Sequence, residues 1–222
     1  MLRRAPLLVA LTTLALVPSL EAPAHALRVA GPAVTSTRLA PELPLPAGVK
    51  PQGKRVIGTW QYQGPGPVSG LLVLSSTDRT MKAGVSRQLF AQIYVVGKPG
   101  AKPTQVRLVK DAVTNCKLDL VASFVQGSVA FEDIDGDGTA EIAFAYDIGC
   151  DATERPLPRK LIILEGAAKF ALRGNGRGKT LDGAPAGGDY KADTFKGQEA
   201  IGTFAEAHWN QLLDTDAVAV DP

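Results

Sequence analysis

Four carboxylates stand at alternating positions in Asp133-Ile134-Asp135-Gly136-Asp137-Gly138-Thr139-Ala140-Glu141. Oxygens spaced this way around a tight turn converge on one point, and an all-oxygen donor set suits a hard divalent cation. In the twelve-residue calcium loop, oxygens come from positions one, three and five and from a backbone carbonyl at seven, with glycine at six for the sharp turn. Asp133, Asp135, Asp137, Thr139 and Gly138 fill those places. Position twelve, where the helical form of the loop carries a bidentate glutamate, is Phe144, an apolar strand residue. Glu141 at position nine offers the remaining carboxylate. The arrangement predicts a Ca2+ loop joining two strands rather than two helices. The competing expectation is a solvated acidic turn held by its own Asx hydrogen bonds. The acids repel one another unless a cation neutralises them, so the segment is expected to need its ion for order.

Flanking residues supply the strands such a loop requires. Val129 and Phe131 share one face before it, and Ile142, Phe144 and Tyr146 share one face after it, so both sets can line a single core. Short runs rich in β-branched and aromatic residues recur along the chain: 55–62, 71–75, 88–96, 105–113, 118–124, 129–133, 141–147, 160–165 and 170–173. Gly64-Pro65-Gly66-Pro67, Gly97-Lys98-Pro99-Gly100 and Pro156-Leu157-Pro158 break the runs where turns belong. This pattern predicts a mainly β fold of antiparallel sheets, sandwich-like or resembling part of a propeller. Residues 174–190 are polar and glycine-dense and predict a loop. Between Asp193 and Leu213 the period changes: Ile201, Phe204, His208 and Leu212 share one helical face, and Thr194 is the candidate cap for a C-terminal α-helix.

Other chemistries find little support. His208 is the one imidazole beyond residue 25 and is expected as a hydrogen-bonded packing residue. No Gly-x-Ser-x-Gly elbow surrounds any serine, and zinc would lack a second histidine. Residues 173–180 end like a phosphate-binding loop, but Arg173 stands where the first glycine is required. Arg173, Arg177 and Lys179 are instead candidate contacts for an anionic glycan or a protein. Glu132, Asp147 and Asp151 flank the hairpin as a conceivable glycosidase pair with no fixed separation. Trp60, Tyr62 and Tyr94 are expected chiefly in the core, since aromatics make up only 6% of the chain, few for a sugar-stacking platform.

Arg3 and Arg4, the uncharged apolar run 7–17 and Ala24-His25-Ala26 predict a signal peptide, 1–26, cleaved after Ala26. The run is about eleven residues, short of the roughly twenty that cross a bilayer. Export into the periplasm or beyond the cell is the expectation, without a transmembrane segment. Cleavage leaves 222 less 26, or 196 residues, with 22 basic and 21 acidic side chains once Arg3, Arg4 and Glu21 are gone. That balance disfavours nucleic acid as a partner. Residues 27–53 are rich in Pro, Ala and Gly and predict a leader that either hangs free or lies across the surface. A single domain is expected over 54–215, with 216–222 a tail. In an exported chain Cys116 and Cys150 most economically form one disulfide enclosing the acidic loop, two buried thiols being the alternative.

The segment Asp133–Gly138 with Glu141 resembles the calcium loop of FG-GAP and VCBS repeats, found in integrin-type β-propellers and bacterial surface proteins. Propellers carry several copies and this chain carries one. Cys116 with Asp119, the acidic loop, Tyr146 with Cys150, Lys160-Leu161-Ile162, Leu172-Arg173-Gly174 and Trp209 are together similar to a family of small exported bacterial proteins. That family is loosely labelled as connected with surface polysaccharide biosynthesis. The resemblance implies an envelope location and a calcium hairpin rather than a reaction. The reading from sequence is thus an exported, calcium-stabilised accessory or binding protein of the cell envelope, partnered by a glycan or another exported protein. A calcium-dependent glycan hydrolase using carboxylates near the hairpin is the alternative.

Overall fold

The computed structural model describes residues 33–66, 69–98, 100–151, 156–180 and 182–215. The predicted signal peptide, and with it the export expectation, lies outside them, as does the tail. Two antiparallel sheets face each other. The first is a meander of β1 (Thr35–Arg38), β2 (Arg55–Gln63), β3 (Ser69–Met81), β4 (Gly84–Val96) and β5 (Thr104–Cys116), paired in chain order. The second runs β13 (Tyr190–Ala192), β10 (Ala168–Asn175), β9 (Pro158–Glu165), β8 (Glu141–Gly149) and β6 (Val121–Phe124), with β7 (Ala130–Glu132) also pairing with β8. A small ribbon of β11 (Arg177–Lys179) and β12 (Pro185–Gly187) and the helix α1 (Glu199–Leu212) complete the described elements. The chain is mainly β with a C-terminal helix, as its sequence predicts.

Continuous apolar runs in the central strands follow from having both faces covered. Along β3, Leu72 and Leu74 point into the space between the sheets, while Leu71 and Val73 point outward beneath Leu39, Leu45 and Val49. In the second sheet Ile142, Phe144, Tyr146, Ile162 and Leu164 face the first sheet. Ala143, Ala145, Leu161, Ile163 and Leu172 face the other way, against Ile201, Phe204, Ala205, Trp209 and Leu212 of α1. Four layers result: the 39–53 segment, two sheets and a helix. Tyr62 and Tyr94 are both buried, in different layers, so they form no exposed row with Trp60.

Residues 33–53 therefore lie across the surface rather than hanging free. β1 adds an edge strand to β2, and the wholly buried Gln92 accepts the Gln52 N–H and donates to the Lys50 carbonyl. The 174–190 segment, expected as a loop, contributes the β11–β12 ribbon, and β13 starts at its end. Its strands are too short to show a two-residue period in sequence. The helix starts later than predicted. Gly197 at φ 76° breaks the backbone, Gln198 is the N-cap without a side-chain hydrogen bond, and Thr194 caps nothing. The predicted face is correct: Ile201, Phe204, His208 and Leu212 are all buried. His208 is the expected packing residue, bonded through Nε2 to the Ser128 carbonyl at 3.0 Å and stacked on Phe204.

Cross-links hold the two sheets in register at one side. Cys116 at the end of β5 forms a disulfide with Cys150 just past β8. Nearby, Asp111 of β5 accepts from Lys160 of β9 at 2.5 Å and from the Tyr146 hydroxyl of β8 at 2.9 Å.

Candidate metal centre

β7 and β8 form the predicted hairpin, with Phe131 opposite Ile142 and Glu132 opposite Glu141. Phe131, Ile142, Phe144 and Tyr146 all enter the inter-sheet core, which fixes the strand ends and aims the connecting loop outward. Ile134 reaches back to the layer beneath the helix and anchors the loop from within. Gly136 and Gly138 adopt φ of 80° and 87°, a left-handed conformation that a side chain would strain. These two turns fold the chain back so that alternate carboxylates meet.

Two overlapping acidic clusters form. Asp133, Asp135 and Glu141 bring one oxygen each within 4.8 Å of one another, and so do Asp135, Asp137 and Glu165. The loop aspartates also brace the turn: Asp135 accepts the Asp137 N–H at 3.1 Å, Asp137 the Thr139 N–H at 2.6 Å and Asp133 the Gly138 N–H at 3.2 Å. Such Asx bonds would equally hold a solvated turn.

Glu141 differs from the loop aspartates in its surroundings. Its side chain is only 1% exposed, Oε2 accepts the Ile134 N–H at 2.6 Å, and Oε1 is buried without a partner. An orphaned carboxylate oxygen beside other acids is costly, because neither water nor a donor compensates its lost hydration. Burial pushes the Glu141 carboxyl up to about 8, against the pull of the Ile134 N–H, and Asp135, Glu165 and Asp137 raise it further. A positive charge at this point would relieve both the repulsion and the missing contact. The donors are all oxygens, with carboxylates from Asp133, Asp135, Asp137 and Glu141 and the position-seven carbonyl from Thr139. That set fits a hard divalent ion.

Glu165 is the residue that spacing does not reveal. It closes β9, and the pairing of Ile142 with Leu164 places it next to the start of β8. Burial and the charges of Asp135 and Asp137 raise its carboxyl, and Gln198 at the helix N-cap donates to it at 3.4 Å. A carboxylate ending the strand next to a candidate loop is a signal visible only once the sheet order is known.

The remaining candidates are dispersed. Arg173 pairs with Asp193 at 2.6 Å and Arg177 with Asp214 at 3.0 Å, both exposed, while Lys179 sits exposed on β11. Arg177 and Lys179 line one cleft with the buried ion pair Asp147–Arg159. Arg159 also donates to the carbonyls of Leu212 and Thr215, tying β9 to the helix end. Among the described residues no helix is long and apolar enough to cross a membrane. No family model, curated protein or solved structure matches this chain.

Proposed function

We propose that Asp133–Glu141 binds one calcium ion at a hairpin tip and that the chain is an exported accessory or binding protein of the bacterial cell envelope, stabilised by that ion. A surface glycan or another exported protein is its partner in this reading. The buried, partnerless Oε1 of Glu141 carries the metal assignment. Asp133, Asp135, Asp137, the Thr139 carbonyl and Glu141 would hold the ion, which supplies charge neutralisation at the loop. The export part rests on residues 3–26 and is consistent with the Cys116–Cys150 disulfide.

Melting temperature measured in chelator and then in excess calcium tests the metal. At ten times the dissociation constant the ion adds about 1.4 kcal/mol, and a chain of this size then melts roughly 3–6 °C higher. Magnesium at the same concentration should give less, because it demands tighter octahedral geometry and sheds water reluctantly. No rise at millimolar calcium would remove the reading.

A glycan hydrolase is the weaker alternative. Glu132 is opposite Glu141 and Asp147 is six residues further along β8, which separates them by about 20 Å at the rise of a strand. Paired glycosidase carboxyls stand roughly 5–9.5 Å apart. Asp147 is moreover held by both arms of Arg159, at 2.7 and 2.9 Å.

A further inference from the structure

Beside the acidic loop, at the open end of the sandwich, the two sheets part to leave a cleft of about 290 Å³. Tyr62 of β2, Ile93 of β4, Ile142 of β8 and Leu164 of β9 line it with apolar surface, and Gly138–Ala140 of the loop form one wall. That volume lies at the lower end of small-molecule sites, which combine apolar walls with a few placed polar groups.

Two such groups are present. β5 carries a bulge here: Ile93 is opposite Arg107 and Tyr94 is opposite Gln105, which leaves Val106 unpaired. Bulges re-aim the side chains beside them. Val106, 57% exposed, and Arg107 both line the cleft. Arg107 reaches across to the other sheet and donates from Nη1 to the Ala167 carbonyl at 2.6 Å and the Gly166 carbonyl at 3.3 Å. Those two carbonyls fix the guanidinium while its Nε–Nη2 edge has no acceptor among the described residues. That edge is the fork which matches a carboxylate with two parallel hydrogen bonds. The hydroxyl of the buried Tyr62 likewise has no hydrogen-bond partner among the described residues.

We propose that this cleft binds a small aliphatic carboxylate, with its chain among Tyr62, Ile93, Ile142 and Leu164 and its headgroup on the free edge of Arg107. The volume suits a single short acyl chain and excludes a two-tailed lipid. Charge selects the class: an amine would meet the guanidinium repulsively, and an alcohol would leave the fork half used. The site rests on its own walls and on Arg107, and calcium in the neighbouring loop would weaken the repulsion that its acids exert on a carboxylate.

Titration of the isotope-labelled full chain with octanoate, octanol and octylamine at fixed calcium, followed by amide chemical shifts, tests it. Saturable octanoate shifts confined to the cleft residues are expected, with affinity at least tenfold above that for octanol and no saturation by octylamine. Arg107→Gln should abolish the preference for octanoate over octanol. Val106→Trp, at an exposed bulge position where the core is untouched, should weaken both. Absence of saturable octanoate shifts, shifts centred elsewhere, or an Arg107→Gln protein that keeps its carboxylate preference would each overturn the proposal.

Discussion

Glu165 at the end of β9 and Asp135 in the hairpin loop bring carboxylate oxygens within 4.8 Å of each other. Two carboxylates this close repel one another unless a positive charge lies between them, so a cation bound to the loop would draw on both. At about 5 Å in water a doubly charged ion and a carboxylate attract by roughly 1.7 kcal/mol, before salt screening. Glu165→Gln keeps the hydrogen-bonding shape and removes the charge, so calcium affinity measured by titration calorimetry should fall on the order of tenfold. Glu141→Gln, which alters the proposed ligand buried in the loop, should cause the larger loss. Unchanged affinity in Glu165→Gln would confine the site to the loop alone.

Asp111 links the sheets and gives a pH dependence of known sign. Burial works against its carboxylate, but hydrogen bonds from Lys160, the Ala112 N–H and Tyr146, with the Lys160 charge, hold it below the ordinary carboxylate range. A carboxyl depressed on folding contributes stability above its unfolded value, near 3.9, and loses it as pH falls through the folded value. Asp111→Asn should therefore destabilise by about 1 kcal/mol at pH 7, a figure kept small because both partners are roughly a quarter exposed. The gap between the two proteins in urea unfolding should narrow as pH falls below the ordinary carboxylate range and through the lower folded value. A constant gap across that range would show that packing, not charge, is responsible.

Much of this was readable before the fold was known, for physical reasons. Glu141 and the loop aspartates act through local spacing, and Ile201, Phe204, His208 and Leu212 declare their helix by period. What lay hidden depends on partners distant in sequence. Glu165 meets the loop only because β9 pairs with β8, and Arg107 crosses to the opposite sheet only because of an unpaired Val106. The prolines between 41 and 51 conceal the docking of that segment, because its order comes from Leu39, Leu45 and Val49 beneath the sheet and not from any backbone period. Gly197 displaces the helix start, and no capping pattern in the sequence announces it.

The disulfide closes a 34-residue separation that contains the whole hairpin. In the chain-entropy model that constraint contributes about 3–4 kcal/mol, chiefly by restricting the unfolded chain. Replacing both cysteines by serine should lower stability by that amount in denaturant unfolding. Because the clasp lies at the base of the hairpin and the acids at its tip, calcium affinity of the still-folded variant should change less than threefold. A collapse of affinity would mean that the clasp also shapes the loop.

Gln92 fixes the 50–52 segment through a set of bonds that an apolar side chain cannot replace. Its amide nitrogen lies within hydrogen-bond reach of the Lys50 carbonyl at 3.0 Å, Tyr94 Oη at 2.9 Å and Gln105 Oε1 at 2.7 Å, which share its two N–H groups, while its oxygen accepts the Gln52 N–H at 2.7 Å. Leucine at this position would fill a similar volume and leave the Gln52 N–H without an acceptor and the Lys50 carbonyl with Tyr94 Oη alone. A part-buried donor orphaned in this way costs about 1–3 kcal/mol. Stability should therefore fall by roughly 1–3 kcal/mol in Gln92→Leu, and trypsin should cut after Lys54 well before it attacks the sheets. Protection at Lys54 equal to wild type would show that Val49 and Leu45 hold the segment by apolar contact alone.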